Sequence, residues 1–126
     1  MREPKFNEQG LVAVVVQDDA TGQVLMQAYM NREAFDKTMS TGKCHYFSRS
    51  RSRLWLKGEE SGHFQEVRAV YLDCDGDCVL VKVKQTGGAC HEGYESCFFT
   101  QIDPKGRSAR VVGKKVFDPK QVYKKI

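Results

Sequence analysis

The chain has 126 residues, of which 40% are hydrophobic, and a formal net charge of +4. A chain of this length is expected to form one domain, residues 1–126, and to bury about two-thirds of its unfolded surface. Its start is polar and lacks the apolar centre of a signal peptide, and its longest apolar run, Leu11 to Val16, is far below the ~20 residues that span a bilayer. The sequence therefore excludes a membrane protein and predicts a cytoplasmic one, whose five cysteines are metal ligands or free thiols.

Positive charge is concentrated in two stretches. Residues 104–126, the basic C-terminal tail, contain eight Lys or Arg and one acid, a net charge of +7, which leaves −3 for the rest of the chain. Residues 37–57 contain six Lys or Arg and no acid. A tail of this kind is typical of a solvated end or of an arm that binds nucleic acid. A small phosphorylated ligand explains the second stretch as well as a polynucleotide does.

The first half of the chain predicts a β-hairpin followed by a helix. The Val-rich run from Leu11 to Val16 is typical of a buried strand, and after a turn at residues 18–22 a second strand follows at Val24 to Met30. Asn31 is a good N-cap for a helix from Arg32 to about Ser40, and Gly42 stands where a C-cap glycine is expected.

Short strands are predicted in the rest of the chain. The segments are His45–Ser48, Leu54–Lys57, Phe64–Leu72, Val79–Lys84 and Cys97–Ile102. The fold class expected from this order is α+β, with a mainly antiparallel sheet and one principal helix.

Arginine recurs at every second position just after the third predicted strand. In an extended segment Arg49, Arg51 and Arg53 would share one face, an arrangement suited to phosphate oxygens. The alternative is a solvated strand edge that charge protects from pairing.

Between Asp73 and Cys97 the chain interleaves carboxylates, which suit magnesium or calcium, with thiols, which suit zinc. An extended segment would point Asp73, Asp75 and Asp77 to one side and Cys74 to the other. A solvated turn is the simplest alternative.

An EF-hand loop is excluded because its sixth and twelfth positions would be Cys78 and Lys84. Two kinds of zinc site are possible: a closed structural site with four cysteines, and a catalytic site with three cysteines and one open coordination position. The cysteines concerned are Cys74, Cys78, Cys90 and Cys97.

Three motifs resemble the phosphoribosyl-AMP cyclohydrolases of histidine biosynthesis. The first runs from His45 to Gly62, the second is Asp73-Cys-Asp-Gly-Asp77, and the third runs from Gly88 to Phe98. The similarity covers about Val12 to Phe99, and the motifs occur in the family's order and spacing. The resemblance implies an intertwined homodimer that binds one zinc per subunit through three cysteines, with ligands shared across the subunits, and that also binds magnesium. The matching zinc ligands are Cys74, Cys90 and Cys97, and the matching magnesium ligands are Asp73, Asp75 and Asp77.

The resemblance also implies a reaction. The family hydrolyses the purine ring of 1-(5-phosphoribosyl)-AMP between nitrogen-1 and carbon-6 with a zinc-activated water. The product is the phosphoribosyl-formimino aminoimidazole carboxamide nucleotide of histidine biosynthesis. Three thiolates weaken the Lewis acidity of zinc, so a base is expected, and histidine is the side chain poised near neutral pH. His91, next to Cys90, is the first candidate and His45 the second. The alternatives are that His91 only orients a ligand and that His45 only packs in a strand.

The substrate carries two phosphomonoesters, or about −4 charge near neutral pH, and requires cationic partners. Six residues of the first motif are the candidates for binding it: Arg49, Arg51, Arg53, Trp55, Lys57 and Glu59. Cys44 and Cys78 depart from the family pattern, and a small buried thiol is the favoured interpretation of both. The competing hypothesis is a zinc-stabilised module that binds nucleic acid through the arginines and the tail. The enzyme interpretation instead expects neither nucleic acid nor membrane as a partner.

Overall fold

The computed structural model describes residues 2–122. Its elements in chain order are β1 (Val12–Asp18), β2 (Val24–Met30), α1 (Arg32–Thr41), β3 (His45–Ser48), β4 (Arg53–Leu56), β5 (Gln65–Leu72), β6 (Cys78–Gln85), β7 (Thr100–Ile102), β8 (Ala109–Val111) and α2 (Pro119–Val122). The predicted strands and the helix lie within two or three residues of these bounds, except that β8 and α2 were not predicted and β7 begins later than expected. The α+β class with one principal helix is confirmed.

Four strands form the main sheet, in the order β2-β1-β6-β5. The β1–β2 and β5–β6 pairs are antiparallel hairpins, whereas β1 and β6 run parallel, with Val14 opposite Val79. The prediction of a mainly antiparallel fold holds for most pairs, but the centre of this sheet is mixed. Alternating valines show which face a strand buries, and they carry no information about the direction of its neighbour.

The valines of the two central strands form the core. Val14 and Val16 of β1 and Val79, Val81 and Val83 of β6 are fully buried, while their neighbours in sequence are partly exposed. β-branched side chains suit this pleated, one-sided packing. Ala34 of α1, Tyr46 of β3 and Ala89 belong to the same buried cluster. The helix, the β3–β4 hairpin and the loop after β6 therefore cover one face of the sheet.

Both ends of α1 are capped as the sequence predicts. The side chain of Asn31 accepts a hydrogen bond from the Ala34 N–H at 2.8 Å, and Gly42 adopts the left-handed conformation that ends many helices. The Thr38 hydroxyl lies inside the fold, where it donates to Ala34 O and accepts from the His45 N–H at 2.9 Å. This hydroxyl therefore fixes the start of β3 against the helix.

A buried polar chain joins the β3–β4 hairpin to the main sheet. Tyr46 donates its hydroxyl to Gln65 Oε1 at 2.5 Å, and Gln65 Nε2 donates to Gln85 Oε1 at 2.8 Å. Gln65 is fully buried and has a partner at both ends of its amide. A satisfied network of this kind fixes one arrangement of the hairpin, because any other would leave buried polar groups unpaired.

Two predictions of extended backbone are wrong. Arg49 and Arg51 lie in the turn between β3 and β4, where Ser52 has a positive φ of 49°, so the arginines do not share one face of a strand. Residues 73–77 form the turn of the β5–β6 hairpin, with Gly76 at a φ of 80°. In both places the turn residues Ser, Asp and Gly outweigh the alternation of side chains.

The C-terminal region folds back onto the protein. β7 and β8 form a small hairpin, after which Glu95 N–H donates to Lys114 O and Val116 N–H donates to Gly93 O. The ring of Phe117 meets His63 edge to face, with centroids 4.7 Å apart. Up to residue 122 the basic tail is thus structured, and its last four residues lie outside the described ones. No helix within residues 2–122 is long and apolar enough to cross a membrane.

Candidate active site

A cavity of about 410 Å³ lies between the end of β2 and the β3–β4 hairpin. Its lining residues are Ala28, Tyr29, Phe47, Ser48, Arg51, Arg53, Trp55, Glu59, Glu60 and His91. This size is within the usual range for small-ligand sites, and the combination of aromatic walls with a few charged groups is typical of them. The β3–β4 hairpin supplies most of the lining. Both of its strands are only four residues long, so the turns that follow β3 and β4 also reach the cavity.

The three predicted arginines surround this cavity in different ways. Arg51 and Arg53 line it, and the guanidinium carbon of Arg49 lies 4.1 Å from the centre of the Tyr29 ring. Arg53 is held in place because its Nη2 lies 3.0 Å from Glu59 Oε2. The other oxygen of Glu59 accepts the Leu56 N–H at 2.9 Å. Glu59 therefore positions an arginine and fixes the end of the hairpin.

The two predicted catalytic histidines occupy different places. His91 is exposed and lines the cavity together with Trp55 and Glu60. His45 lies on β3, partly buried, and its Nδ1 is 2.8 Å from Lys43 O. Of these two histidines, His91 lines the cavity and His45 does not.

Lys57, predicted to be a counter-ion for the substrate, does not line this cavity. Its side chain is buried, and its ammonium donates to Ala89 O at 2.6 Å. Burial lowers the pKa of Lys57, while the charges of Cys97 and Cys90 act in the opposite direction. The lysine thus lies between the aromatic wall at Trp55, whose ring centre is 5.6 Å from Nζ, and the two cysteines.

Cys90 and Cys97 lie close enough to interact directly. Burial, then the neighbouring Cys90, raises the pKa of the Cys97 thiol to about 11, and Lys57 acts to lower it. A pair of adjacent thiols suits a soft cation, because a metal replaces their protons and removes the repulsion between thiolates. Cys74 is exposed in the β5–β6 turn, and among the described residues it does not join these two thiols in one ligand cluster. The donors present fit zinc, with two ligands together and the third elsewhere on the chain.

The two further cysteines differ in their surroundings. Cys44 is fully buried, and burial raises the pKa of its thiol to about 11. Cys78 begins β6 and is half-buried, and burial followed by the charges of Asp73 and Asp77 raises the pKa of its thiol. Both environments favour the protonated thiol, and Cys44 has the burial predicted for a small apolar side chain, whereas Cys78 is only partly buried.

The three aspartates converge although their segment is a turn. Oxygens of Asp73, Asp75 and Asp77 lie within 4.8 Å of one another, an arrangement that could hold a cation. Asp73 Oδ1 accepts the Asp77 N–H at 3.0 Å. Burial acts to raise the pKa of Asp73, but hydrogen bonds from Asp77 and from backbone N–H groups outweigh it and lower that pKa. Hydrogen bonding and repulsion from Asp73 and Asp75 raise the pKa of Asp77. A hard divalent cation would relieve this repulsion.

Known proteins resemble nearly the whole chain. The family model of phosphoribosyl-AMP cyclohydrolase matches residues 26–99. A phosphoribosyl-AMP cyclohydrolase from Methanocella arvoryzae is 57% identical over 124 residues, which are 98% of this chain and 99% of the relative. The chain belongs to the phosphoribosyl-AMP cyclohydrolase family. Relatives of the same name from Pelotomaculum thermopropionicum and Methanothermobacter thermautotrophicus are 58% and 56% identical, over 96% and 94% of this chain and 93% and 86% of their own.

Sequence reasoning missed part of the cavity of this cyclohydrolase. Tyr29, Phe47 and Glu60 line it, as do Ala28 and Ser48. Tyr29 and Phe47 look like ordinary alternating residues of strands, and Glu60 looks like a solvated turn residue. Phe47, Ser48 and Glu60 lie within the motif from His45 to Gly62, which was a signal for them, whereas Tyr29 and Ala28 come from a different hairpin.

We expect divalent-cation binding at the aspartate turn to weaken as the pH falls. Because the pKa of Asp77 is raised, this carboxylate takes up its proton at a higher pH than an isolated aspartate would, and the proton displaces the cation. Calorimetric titration with Mg²⁺ from neutral to acidic pH measures the effect. Asp77→Asn should abolish binding, whereas Asp19→Asn, exposed in the β1–β2 turn, should not. Equal affinities in the two variants would contradict a cation site at the turn.

Proposed function

We propose that this protein hydrolyses the purine ring of 1-(5-phosphoribosyl)-AMP between nitrogen-1 and carbon-6, a step of histidine biosynthesis. The observation that carries the proposal is the match to phosphoribosyl-AMP cyclohydrolases over as much as 98% of the chain. The cavity supports it, because cationic and aromatic groups face the same space as a histidine. Histidine biosynthesis makes the cytoplasm the expected location. Family membership argues against the nucleic-acid-binding alternative.

The cavity residues divide into two groups with different tasks. Trp55, Phe47 and Tyr29 offer aromatic surfaces on which a purine can stack. Arg51 and Arg53 offer guanidinium forks for phosphate oxygens, and Arg49 lies beside Tyr29. Because Glu59 already binds Arg53, that arginine keeps a fixed orientation with part of its fork free. This arrangement fits a nucleotide with a phosphate at each end better than it fits a long polynucleotide.

His91 is the residue that we assign to proton transfer. It lines the cavity and follows Cys90 directly in the chain, so that a proton donor or acceptor lies beside the cysteine pair. Hydrolysis that keeps the exocyclic amine requires protonation of the ring nitrogen that leaves. A neutral imidazole can take a proton from the attacking water and, once charged, can return it to that nitrogen. His45, with its ring on Lys43 O, stays the second candidate.

Cys90 and Cys97, with Cys74 from the other subunit of a homodimer, would hold zinc, and the aspartate turn would hold magnesium. Bound zinc would supply Lewis-acid activation of the attacking water. The separation of Cys74 from the other two thiols supports ligand sharing, since one protomer leaves the set incomplete. Exposed apolar side chains near the C-terminal hairpin support a dimer: Phe98, Ile102, Val111 and Val112 are 52–68% exposed.

The central test is turnover of the nucleotide itself. Opening of the purine ring changes the ultraviolet spectrum, so the reaction can be followed directly with the zinc-loaded protein and added Mg²⁺. We expect product formation with retention of the carboxamide nitrogen, which mass spectrometry shows. Release of ammonia without ring opening, or no turnover by the fully metallated protein, would refute the proposed reaction.

Shared zinc ligands predict complementation between inactive subunits. Cys74→Ser and Cys97→Ser should each lose zinc and activity alone. In a two-fold symmetric dimer with one subunit of each kind, one site carries both changes and the other carries none. Unfolding and refolding an equal mixture should restore about a quarter of wild-type activity, because about half of the dimers are mixed. A mixture as inactive as its components would contradict ligand sharing.

The arginines around the cavity predict selective kinetic losses. Arg49→Ala and Arg51→Ala should each lower kcat/KM by roughly ten- to a hundredfold, the cost of one charge-assisted contact. Lysine should rescue only partly, because an ammonium lacks the bidentate fork. Arg110→Ala removes the same charge from β8, outside the cavity lining, and should have little effect. Equal losses in all three variants would indicate long-range attraction by net charge instead of specific contacts.

A further inference from the structure

Lys57 is a buried cation whose one hydrogen-bond acceptor is neutral. It is 8% exposed, and its ammonium, which has three N–H donors, donates to Ala89 O at 2.6 Å. Within residues 2–122 no carboxylate forms an ion pair with it. Removing an ammonium from water costs several kcal/mol of free energy unless an opposite charge compensates it. The position therefore calls for an anion close by.

The cysteine pair is the source of negative charge that the structure offers. Ala89, which accepts the hydrogen bond, immediately precedes Cys90, and the charges of both Cys90 and Cys97 act on the Lys57 ammonium. The backbone of Lys57 is also fixed, since its N–H donates to Cys44 O at 3.0 Å. These two hydrogen bonds hold the ammonium next to the loop that carries Cys90 and Cys97.

We propose that Lys57 is a positioning residue for the metal centre: its buried ammonium is the fixed counter-charge of the Cys90–Cys97 pair and strengthens the binding of zinc. The inference rests on the zinc site of the proposed function. Three thiolates around Zn²⁺ give a net charge of −1, and a neighbouring ammonium brings the group to neutrality. Residues that support metal ligands without touching the metal typically change metal affinity by about 10- to 100-fold.

The test compares three variants of the whole protein. Lys57→Met removes the charge while keeping a long, flexible side chain, and Lys57→Arg keeps the charge. Lys37→Met removes the same charge from an exposed position on α1 and serves as the matched control. Zinc affinity is measured by competition with a chromogenic chelator. We expect Lys57→Met to bind zinc about 10- to 100-fold more weakly than wild type. Lys57→Arg should be closer to wild type, and Lys37→Met should be unchanged.

Thermal unfolding with and without zinc separates this role from ordinary structural support. Without zinc, the buried ammonium lacks its counter-charge, so Lys57→Met should melt at the same temperature as wild type or higher. With saturating zinc, wild type should melt at the higher temperature, because the variant gains less stability from binding the metal. Lower melting of Lys57→Met in both states by the same amount would mean that Lys57 only supports the fold, and would overturn the proposal.

Measurements of zinc binding can also overturn the proposal. Equal zinc affinity of Lys57→Met and wild type, with a raised KM for the nucleotide, would return Lys57 to the role of a phosphate counter-ion. If the wild-type protein itself bound no zinc, the metal part of the proposed function would fail, and this inference would fail with it. Normal zinc binding by wild type and by Lys57→Met would refute the inference alone and leave the proposed function standing.

Discussion

The candidate site depends on the attachment of one loop to the start of β2. The segment that carries Cys90 and Cys97 has little regular structure, yet the Cys97 N–H donates to Leu25 O at 2.7 Å and the Ser96 hydroxyl donates to Val24 O at 2.7 Å. Leu25 itself is buried in the core. These bonds place both thiols against the rigid sheet. Without them the cysteines, His91 and the acceptor of Lys57 would have no fixed relation to the cavity, because loops take their geometry from the scaffold that holds them.

The second constraint is the parallel contact between β1 and β6. It brings the hairpin that begins at Val12 beside the hairpin that ends at Gln85, although paired residues such as Ala13 and Cys78 are 65 positions apart in the sequence. The β3–β4 hairpin and α1 then have one apolar face on which to pack, and Tyr46 and Gln65 fix the hairpin through buried hydrogen bonds. The cavity follows from this packing. Its walls come from β2 and from the hairpin, two parts of the chain that are brought together only by the shared core.

Several of the charged groups around the site have a partner within the protein. Arg53 binds Glu59, and Arg49 lies on the face of Tyr29. Lys57 donates a hydrogen bond to the loop that carries Cys90 and Cys97. The aspartates are kept apart from these cations in the β5–β6 turn. Arg51 and Arg53 suit a phosphorylated ligand, and of the two acids that also line the cavity, Glu59 and Glu60, Glu59 is paired with Arg53.

The sequence determined the local structure and the family. Val14 and Val79 mark buried strands, Asn31 and Gly42 mark the ends of α1, and the motifs from His45 to Phe98 indicate the enzyme family, because these signals depend on neighbours in the chain. The tertiary structure decided what depends on distant residues. It made β1 and β6 parallel, added Tyr29 to the cavity and buried Lys57 near Cys97. Side-chain type and spacing do not specify which remote segment a residue meets, since that is set by how the apolar faces pack.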